Sequence, residues 1–390
     1  MKYTISKAIE SVHLPPIAEV TSWVATRPSD GLEMIDLCQA VPDYTPAPEL
    51  IDHLSRILHE PSTSRYSWDE GKVEVREAIS RRYRKRYNAH ILSENICLTA
   101  GCSQAFWLVL TTLCQSGDEI IVQTPYYFDY PMALDIQGIK SVYASFHEEN
   151  GGLPSPDEIA SLITPRTRAI LLVSPSNPTG VVIPSELLAE LYGIAKLNSI
   201  ALIVDETYSE FIADTAPPHT LFSDPTWGDH FIHITSFGKT YALTGYRAGM
   251  LMASAQFIQE ALKSQDTMMI CQPHITQHAV GYGIEYLDEW VNANRAMMER
   301  RHEVFVNEFS RNENPFTLVT SGPFFAWVRH PWSHLSGKDA VRRLINEAAL
   351  LTLPGEIFGP GMEPYIRLAF GNIKEERIPV AVKRFAELSA

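Results

Sequence analysis

The sequence of 390 residues predicts an α/β fold built on a mostly parallel sheet. Short apolar runs alternate along the chain with segments of helical periodicity, which is the pattern of repeated βαβ units. The chain is longer than one small core accommodates, so a second, smaller domain is expected. Several apolar runs end directly in polar or glycine-containing turns, where open α/β sheets bind their ligands.

Composition and charge argue against several classes of protein. Apolar residues make up 45% of the chain and charged residues 20%, as in ordinary globular domains. The formal net charge of −14 disfavours a nucleic-acid partner, which needs a basic surface. The one basic cluster, from Arg81 to Arg86, is interpreted as a solvated helix face.

Location and metal binding are predicted from what the sequence lacks. No apolar run approaches the roughly 18 residues that cross a bilayer, and the N-terminus shows no apolar signal core, so no membrane contact is expected. The five cysteines are odd in number and lack paired spacing, which favours free thiols in the cytoplasm. His274 and His278 are four residues apart, but no glutamate follows the first, so no metal site is predicted.

The first part of the chain is rich in proline and shows little periodicity. Within it, Ala40 lies in a turn with Pro42 and Asp43, and a helix is predicted from Glu49 to His59. Three units are expected, namely an N-terminal arm with part of the small domain, a large domain and a small C-terminal domain: 1–45, 46–280 and 281–390.

Strands and helices then alternate through the large domain. Strands are predicted at 95–99, 119–122, 141–145, 168–173, 200–204, 231–235 and 248–254. Helices are predicted at 104–115, 156–163, 185–197 and, leading into the small domain, 286–309. The Met-rich segment 265–274 is expected to be irregular. Residues Trp107, Tyr126 and Met268 are suggested as the walls of an apolar substrate pocket.

Two of the predicted strands end in residues suited to an anion and a reactive amine. Gly101 lies where a strand turns into a helix, so backbone N–H groups can close on an anion there. A tight turn with a helix cap explains the same glycine equally well. After another strand, Ser236 and Arg247 can hold an oxyanion while Lys239 stays free to react. The alternative is a surface lysine and arginine after an edge strand.

Two further charged residues stand out in strands. Asp205 ends a buried strand, and a carboxylate there needs a partner such as a pyridinium N–H, unless it caps a helix. Arg367 alternates with apolar residues on one face of a strand, where its fork can grip a carboxylate. The alternative for Arg367 is an edge arginine paired with a surface acid.

The order and spacing of these motifs resemble those of class I and II aminotransferases. These are fold-type-I enzymes that use pyridoxal 5′-phosphate (PLP). The similar stretches include Asn177-Pro-Thr-Gly180, Asp205 with Tyr208 three residues on, and Ser236-x-x-Lys239 with Arg247 eight residues on. The resemblance implies a three-layer αβα large domain with a smaller α/β domain. In style, the motifs are similar to those of broad aromatic, methionine or glutamine aminotransferases.

The resemblance also implies roles for individual residues. Lys239 would hold PLP as a Schiff base and, with Asp205 and Tyr208, would be catalytic. Cofactor contacts are implied for Tyr66, Gly101, Cys102, Ser103, Tyr127, Asn177, Asp205, Tyr208, Ser236, Lys239 and Arg247. Substrate contacts are implied for Ala40, Asn177 and Arg367. Tyr66 would reach the cofactor of a neighbouring subunit, so a homodimer with active sites at its interface is expected.

The implied activity is transfer of an amino group between an L-amino acid and a 2-oxo acid. A PLP-dependent lyase or oxidase on the same scaffold is the alternative, because fold does not fix function. A non-catalytic regulator is a remote alternative, because such proteins carry an N-terminal winged helix and only about 38 residues precede the Ala40 turn. No arginine lies between Leu262 and Tyr286, which disfavours strict aspartate specificity.

Overall fold

The computed structural model describes residues 3–28, 31–213, 217–311 and 313–388. The α-helices of this part are α1 (Lys7–Glu10), α2 (Pro16–Val24), α3 (Pro48–Ile57), α4 (Val73–Tyr87), α5 (Cys102–Leu113), α6 (Asp129–Gln137), α7 (Pro156–Ser161), α8 (Ser185–Leu197), α9 (Phe237–Thr240), α10 (Ala255–Met269), α11 (His274–Tyr286), α12 (Asp288–Arg311), α13 (Gly337–Arg343) and α14 (Ile378–Ala386). The strands are β1 (Ile35–Asp36), β2 (Ile96–Ala100), β3 (Glu119–Gln123), β4 (Lys140–Ala144), β5 (Thr167–Val173), β6 (Ala201–Asp205), β7 (Phe231–Ser236), β8 (Ala248–Met252), β9 (Thr317–Ser321), β10 (Phe325–Arg329), β11 (Leu350–Leu351), β12 (Leu353–Pro354) and β13 (Tyr365–Ala369).

A seven-stranded sheet in the order β2-β8-β7-β6-β5-β3-β4 forms the centre of the large domain. Only β8 runs antiparallel to its neighbours, so the predicted mostly parallel sheet is confirmed. Its strands are apolar on both faces, as helix-covered sheets require. Ile121 packs into one hydrophobic cluster, whereas Ile120 and Val122 pack into another. This alternation along β3 gives three layers, helix on sheet on helix.

A smaller antiparallel sheet in the order β12-β13-β10-β9 carries the C-terminal third of the described chain. The N-terminal segment lies beside it in a separate two-stranded sheet, in which β1 pairs in parallel with β11 through Ile35 and Leu350. Val20 and Leu37 belong to the same hydrophobic cluster as the buried residues of the antiparallel sheet. The domain boundaries at residues 45 and 280 stay a prediction. No helix of the described residues is both long and apolar enough to cross a membrane.

The Met-rich segment differs from its prediction. Helix α10 continues through Met269, because Ile258, Ala261 and Gln265 recur at helical spacing and are buried. The chain then breaks at Ile270, whose φ is 65°, and α11 begins three residues after Cys271. The expected irregular stretch is therefore confined to a short turn between two helices.

The basic cluster of α4 is only partly the solvated face that its composition predicted, because Arg81, Arg84 and Lys85 are exposed but two other arginines are not. The side chains of Arg82 and Arg86 retain 17% and 6% of their exposure and turn inward. Both pair with Glu210, which also receives a bond from Arg295. Glu210 lies more than 120 residues further along the chain, so the spacing of residues within α4 does not predict this pairing.

Removing the shared carboxylate is expected to destabilise the fold. Glu210→Gln leaves three arginines without their common anion, and breaking such a buried pair costs about 3 kcal/mol of unfolding free energy. Urea denaturation measures the loss. The matched control is Glu285→Gln, whose partner Arg81 is 61% exposed, and it should cost less than about 1 kcal/mol. Equal losses in the two variants would contradict the structural role of Glu210.

Candidate active site

A cavity of about 450 Å³ opens where the parallel strands of the large sheet end. Its walls include most residues predicted for the site: Ala40, Cys102, Ser103, Tyr127, Asn177, Asp205, Tyr208, Ser236, Lys239, Arg247 and Arg367. Gly101 precedes α5 directly beside this cavity. Tyr66 is not part of the walls and is 76% exposed. One chain therefore brings together all the predicted residues except Tyr66.

One end of the cavity has the features of an anion site. The first N–H groups of α5 have no partners within the helix, so Cys102 and Ser103 present donors there. Gly101 has a φ of +81°, and a Cβ added to it would lie 2.6 Å from Nη2 of Arg247. The guanidinium of Arg247 is held against this turn by a 3.0 Å bond to the carbonyl of Thr244. Only glycine leaves room for that approach.

Ser236 fixes the other side of the anion site. It is the last residue of β7, and its hydroxyl accepts a bond from the N–H of Gly238 at 3.1 Å. The same hydroxyl donates to the carbonyl of Ala248 on the neighbouring strand at 3.2 Å. The strand end and the first turn of α9 therefore hold Ser236 in one orientation, facing the cavity that Arg247 also lines.

Lys239 lies in the single turn of α9, directly after β7. Burial lowers the pKa of its amine to about 8, and the positive charges of Arg247 and Arg367 act in the same direction. The carboxylate of Asp205 opposes this shift but does not cancel it. The amine is therefore neutral much more often near pH 7 than that of an ordinary lysine.

Asp205 ends β6, and both oxygens of its carboxylate accept hydrogen bonds. One oxygen accepts bonds from the N–H and the hydroxyl of Thr207, at 2.9 and 2.7 Å. The other accepts the hydroxyl of Tyr130 at 2.5 Å. Sequence reasoning missed Tyr130, although it lies only three residues after Tyr127, whose carbonyl accepts its N–H at 3.0 Å.

Tyr127 is also held by a carboxylate. Its hydroxyl donates to Asp129 at 2.6 Å, and its ring meets that of Tyr130 edge to face at 5.5 Å between centroids. Burial raises the pKa of Asp129 above its usual range. These contacts fix a flat aromatic surface in the cavity wall, suited to stacking on a planar ligand.

A buried arginine lies across the cavity from the anion site's helix. Arg367 in β13 is 1% exposed, and its Nη1 donates to Oδ1 of Asn177 at 2.9 Å. Its Nη2 donates to the carbonyl of Cys38, and the rings of Phe325 and Phe358 lie 5.2 and 5.3 Å from its guanidinium carbon. Arginine keeps its charge even when buried, so a permanent cation faces the cavity.

Burial raises the pKa of two other predicted residues, Tyr208 and Cys102. Tyr208 is 4% exposed and packs edge-on against Phe325 at 5.0 Å, and burial raises the pKa of its phenol. Burial and the Asp205 charge raise the pKa of the Cys102 thiol well above its usual range. A nucleophilic thiolate at Cys102 is therefore disfavoured.

The remaining wall of the cavity is apolar. It includes Ile17 from α2, Trp107 from α5, and Met132 and Ile136 from α6. Of the three residues suggested for an apolar pocket, only Trp107 lines this cavity. Tyr126 lies in a neighbouring space beside Val122, and Met268 is 45% exposed.

The sequence model for "Aminotransferase class I and II" matches residues 33–385. The chain belongs to the class I and II aminotransferase family. An aromatic aminotransferase of Arabidopsis thaliana is 27% identical over 97% of this chain and 95% of its own. An aspartate aminotransferase of Pyrococcus horikoshii is 28% identical over 97% and 95% of the two chains. The family and these relatives show that this chain catalyses PLP-dependent transfer of amino groups.

Solved structures agree with the fold of this aminotransferase. The aromatic aminotransferase of Pyrococcus horikoshii is 26% identical, with a TM-score of 0.84 over 94% of this chain and 97% of that one. The aspartate aminotransferase of Thermotoga maritima is 25% identical, with a TM-score of 0.89 over 98% and 99%. The predicted fold-type-I architecture is confirmed.

The residues of the cavity fit PLP, the cofactor of this family. The donors around α5, Ser236 and Arg247 suit a phosphate, and the ring of Tyr127 suits a planar heterocycle. Asp205 suits a ring nitrogen that carries a proton, and Lys239 supplies an amine of lowered pKa for a Schiff base. Each chemical group of the cofactor therefore finds a matching side chain.

The lowered pKa of Lys239 predicts a labelling profile for the protein without cofactor. Only the neutral amine reacts, so reductive methylation of Lys239 should reach half its maximal rate near pH 8 and fall below that pH. Peptide mass spectrometry measures the rate, with the exposed Lys263 as reference in the same sample. Arg247→Gln removes one cation and should move the midpoint to higher pH. A wild-type midpoint at the ordinary lysine value would contradict the burial effect.

Proposed function

We propose that this aminotransferase uses Lys239 to hold PLP and to move the proton of the substrate's α-carbon. The single observation that supports this role is the lowered pKa of the Lys239 amine inside the cavity, between two arginines. A base works best when its pKa lies near the working pH. Bound PLP supplies an electron sink for the α-carbon.

Asp205 and Tyr208 are proposed to tune that electron sink. Thr207 and Tyr130 hold the Asp205 carboxylate in place, and it is proposed to keep a ring nitrogen of the cofactor protonated. Asn177 and Tyr208 line the same cavity and are proposed to face the phenolic oxygen of the cofactor. The phosphate is assigned to Gly101, Cys102, Ser103, Ser236 and Arg247.

Arg367 is proposed to bind the α-carboxylate of the substrate. Its guanidinium is fixed by Asn177, by the carbonyl of Cys38 and by two aromatic rings, so it binds without first having to be ordered. A carboxylate held there leaves the amino group and α-hydrogen pointed toward Lys239. This orientation selects which bond of the α-carbon breaks.

We propose apolar or aromatic amino acids as the preferred substrates. The lining of the cavity includes Ile17, Trp107, Met132 and Ile136. Asp129, which lines the same cavity beside Met132, would repel a second substrate carboxylate. Apolar side chains gain about 25 cal/mol for each Å² that such a wall buries.

We also propose a homodimer in the cytoplasm. Tyr66 and Trp68 are 76% and 73% exposed, and such large neighbouring aromatics favour a protein contact. Tyr66 does not reach the cavity of its own chain, which fits a role at the cavity of a second copy. The five cysteines are free thiols, as expected in a reducing compartment.

A half-reaction screen tests the proposed function. The PLP-loaded enzyme is mixed with single amino acids and no acceptor, and oxo acid, ammonia and oxygen are measured. We expect one oxo acid per site, no ammonia, and faster reaction with phenylalanine or methionine than with aspartate. Lys239→Ala should abolish the reaction while the fold is kept. Release of ammonia would instead indicate a lyase, and oxygen uptake an oxidase.

Tyr66→Phe tests the contribution of the second subunit. Loss of a hydroxyl bonded to a phosphate should weaken cofactor affinity about tenfold, since bonds to charged groups contribute about 1.5 kcal/mol or more. Fluorescence titration of the protein without cofactor measures this affinity. Tyr286→Phe, at a tyrosine that is 71% exposed, serves as the matched control. Equal affinities in the two variants would leave Tyr66 as an ordinary surface residue.

A further inference from the structure

The segment from Leu37 to Tyr44, here called the bridging segment, contacts both charged ends of the cavity. Its Leu37 carbonyl accepts the N–H of Ala369 at 2.8 Å, two residues after Arg367. Its Cys38 carbonyl accepts a bond from the guanidinium of Arg367 itself. The start of the segment is therefore attached to the strand that carries the carboxylate-binding arginine.

The end of the bridging segment is attached to the catalytic lysine. The hydroxyl of Tyr44 donates to the backbone carbonyl of Lys239 at 3.3 Å. The ring of Tyr44 packs on the cluster that contains Tyr208, and it meets Trp290 edge-on at 5.3 Å. These contacts hold the Tyr44 hydroxyl against α9, on the main chain of the reactive residue.

A nearly buried ion pair anchors the bridging segment next to Tyr44. Both oxygens of Asp43 receive the fork of Arg301 in α12, at 2.8 and 3.0 Å. The Arg301 side chain is only 4% exposed and also donates to the carbonyl of Gly371 at 2.9 Å. A bidentate pair of this kind fixes direction as well as distance.

We propose that Asp43, Tyr44 and Arg301 are positioning residues that set the location of Lys239 relative to Arg367. The inference rests on the proposed roles of Lys239 and Arg367. A substrate has a fixed distance between its carboxylate and its α-hydrogen, so Arg367 and Lys239 must both be in the correct place at once. A misplacement of about 1 Å can slow such a reaction about 100-fold.

The two anchors of the bridging segment should affect different quantities. Tyr44 contacts the main chain of Lys239, so Tyr44→Phe should lower kcat about three- to tenfold, the effect of one lost hydrogen bond. Asp43 is linked through Arg301 to the carbonyl of Gly371, four residues after Arg367. Asp43→Asn should therefore weaken the binding of a carboxylate about tenfold, with a rise in KM.

The experiment uses the PLP-loaded enzyme and three measurements. Half-reaction kinetics give kcat and KM, calorimetry gives the Kd of the unreactive carboxylate 3-phenylpropanoate, and hydrogen exchange reports on the bridging segment and α9. Tyr192→Phe is the matched control. It deletes the hydroxyl of a tyrosine on α8 that donates to Asp224 at 3.1 Å, and neither residue lines the cavity. It should change kcat and Kd by less than about twofold.

Specific outcomes decide the inference. Support requires that Tyr44→Phe lower kcat with faster exchange of α9, and that Asp43→Asn raise the Kd with faster exchange of the bridging segment. The inference is overturned if Tyr44→Phe matches Tyr192→Phe in kcat and exchange. It is also overturned if Asp43→Asn binds 3-phenylpropanoate like the wild type.

Two further variants separate a folding defect and a failed premise from the inference. Arg301→Lys keeps the positive charge but loses the forked guanidinium, so it should also raise the Kd. Wild-type binding in this variant would count against the inference even if Asp43→Asn does not fold. Arg367→Gln tests the premise. If that variant still binds 3-phenylpropanoate tightly, the proposed function of Arg367 fails, independently of the bridging segment.

Discussion

The buried guanidinium of Arg367 is the interaction on which the rest of the site depends. A charge taken out of water is costly unless its donors are paired. Here the partners are Asn177 from the large domain and the carbonyl of Cys38 from the N-terminal segment, while Arg367 itself belongs to the small sheet. Both terminal nitrogens of the guanidinium therefore have partners only when all three parts of the chain are assembled. Assembly of these parts also forms the cavity that Arg367 lines.

The same positive charges serve binding and reactivity. Arg247 and Arg367 suit the two anionic ends of cofactor and substrate, and both lower the pKa of the Lys239 amine between them. A site that attracts anions thereby also raises the fraction of the Lys239 amine that is neutral. Asp205 acts in the opposite sense, but Thr207 and Tyr130 occupy its oxygens. Burial and the two arginines outweigh the effect of Asp205, so the pKa of the Lys239 amine is lowered overall.

What the sequence could predict follows from local rules. Apolar periodicity located the strands, and parallel strands end at one edge, so Asp205, Ser236 and Lys239 were expected together. Contacts between distant segments follow no such local rule and were not predicted. Arg301 bonds to a carboxylate 258 residues away, and Arg86 to one 124 residues away, with no spacing that reveals either pair. Tyr130 was visible in principle, as it lies only three residues after Tyr127.

The acidity of the whole chain sharpens the need for buried cations. A net charge of −14 repels anionic substrates and cofactor at long range, although salt screens this repulsion beyond about 8 Å. Affinity must then come from charges inside that distance, in surroundings that strengthen them. Arg367 at 1% exposure meets this condition, whereas an exposed arginine in its place would be weakened by both water and the surrounding acids. Burial therefore suits Arg367 to the role proposed for it, the binding of a substrate carboxylate by an acidic protein.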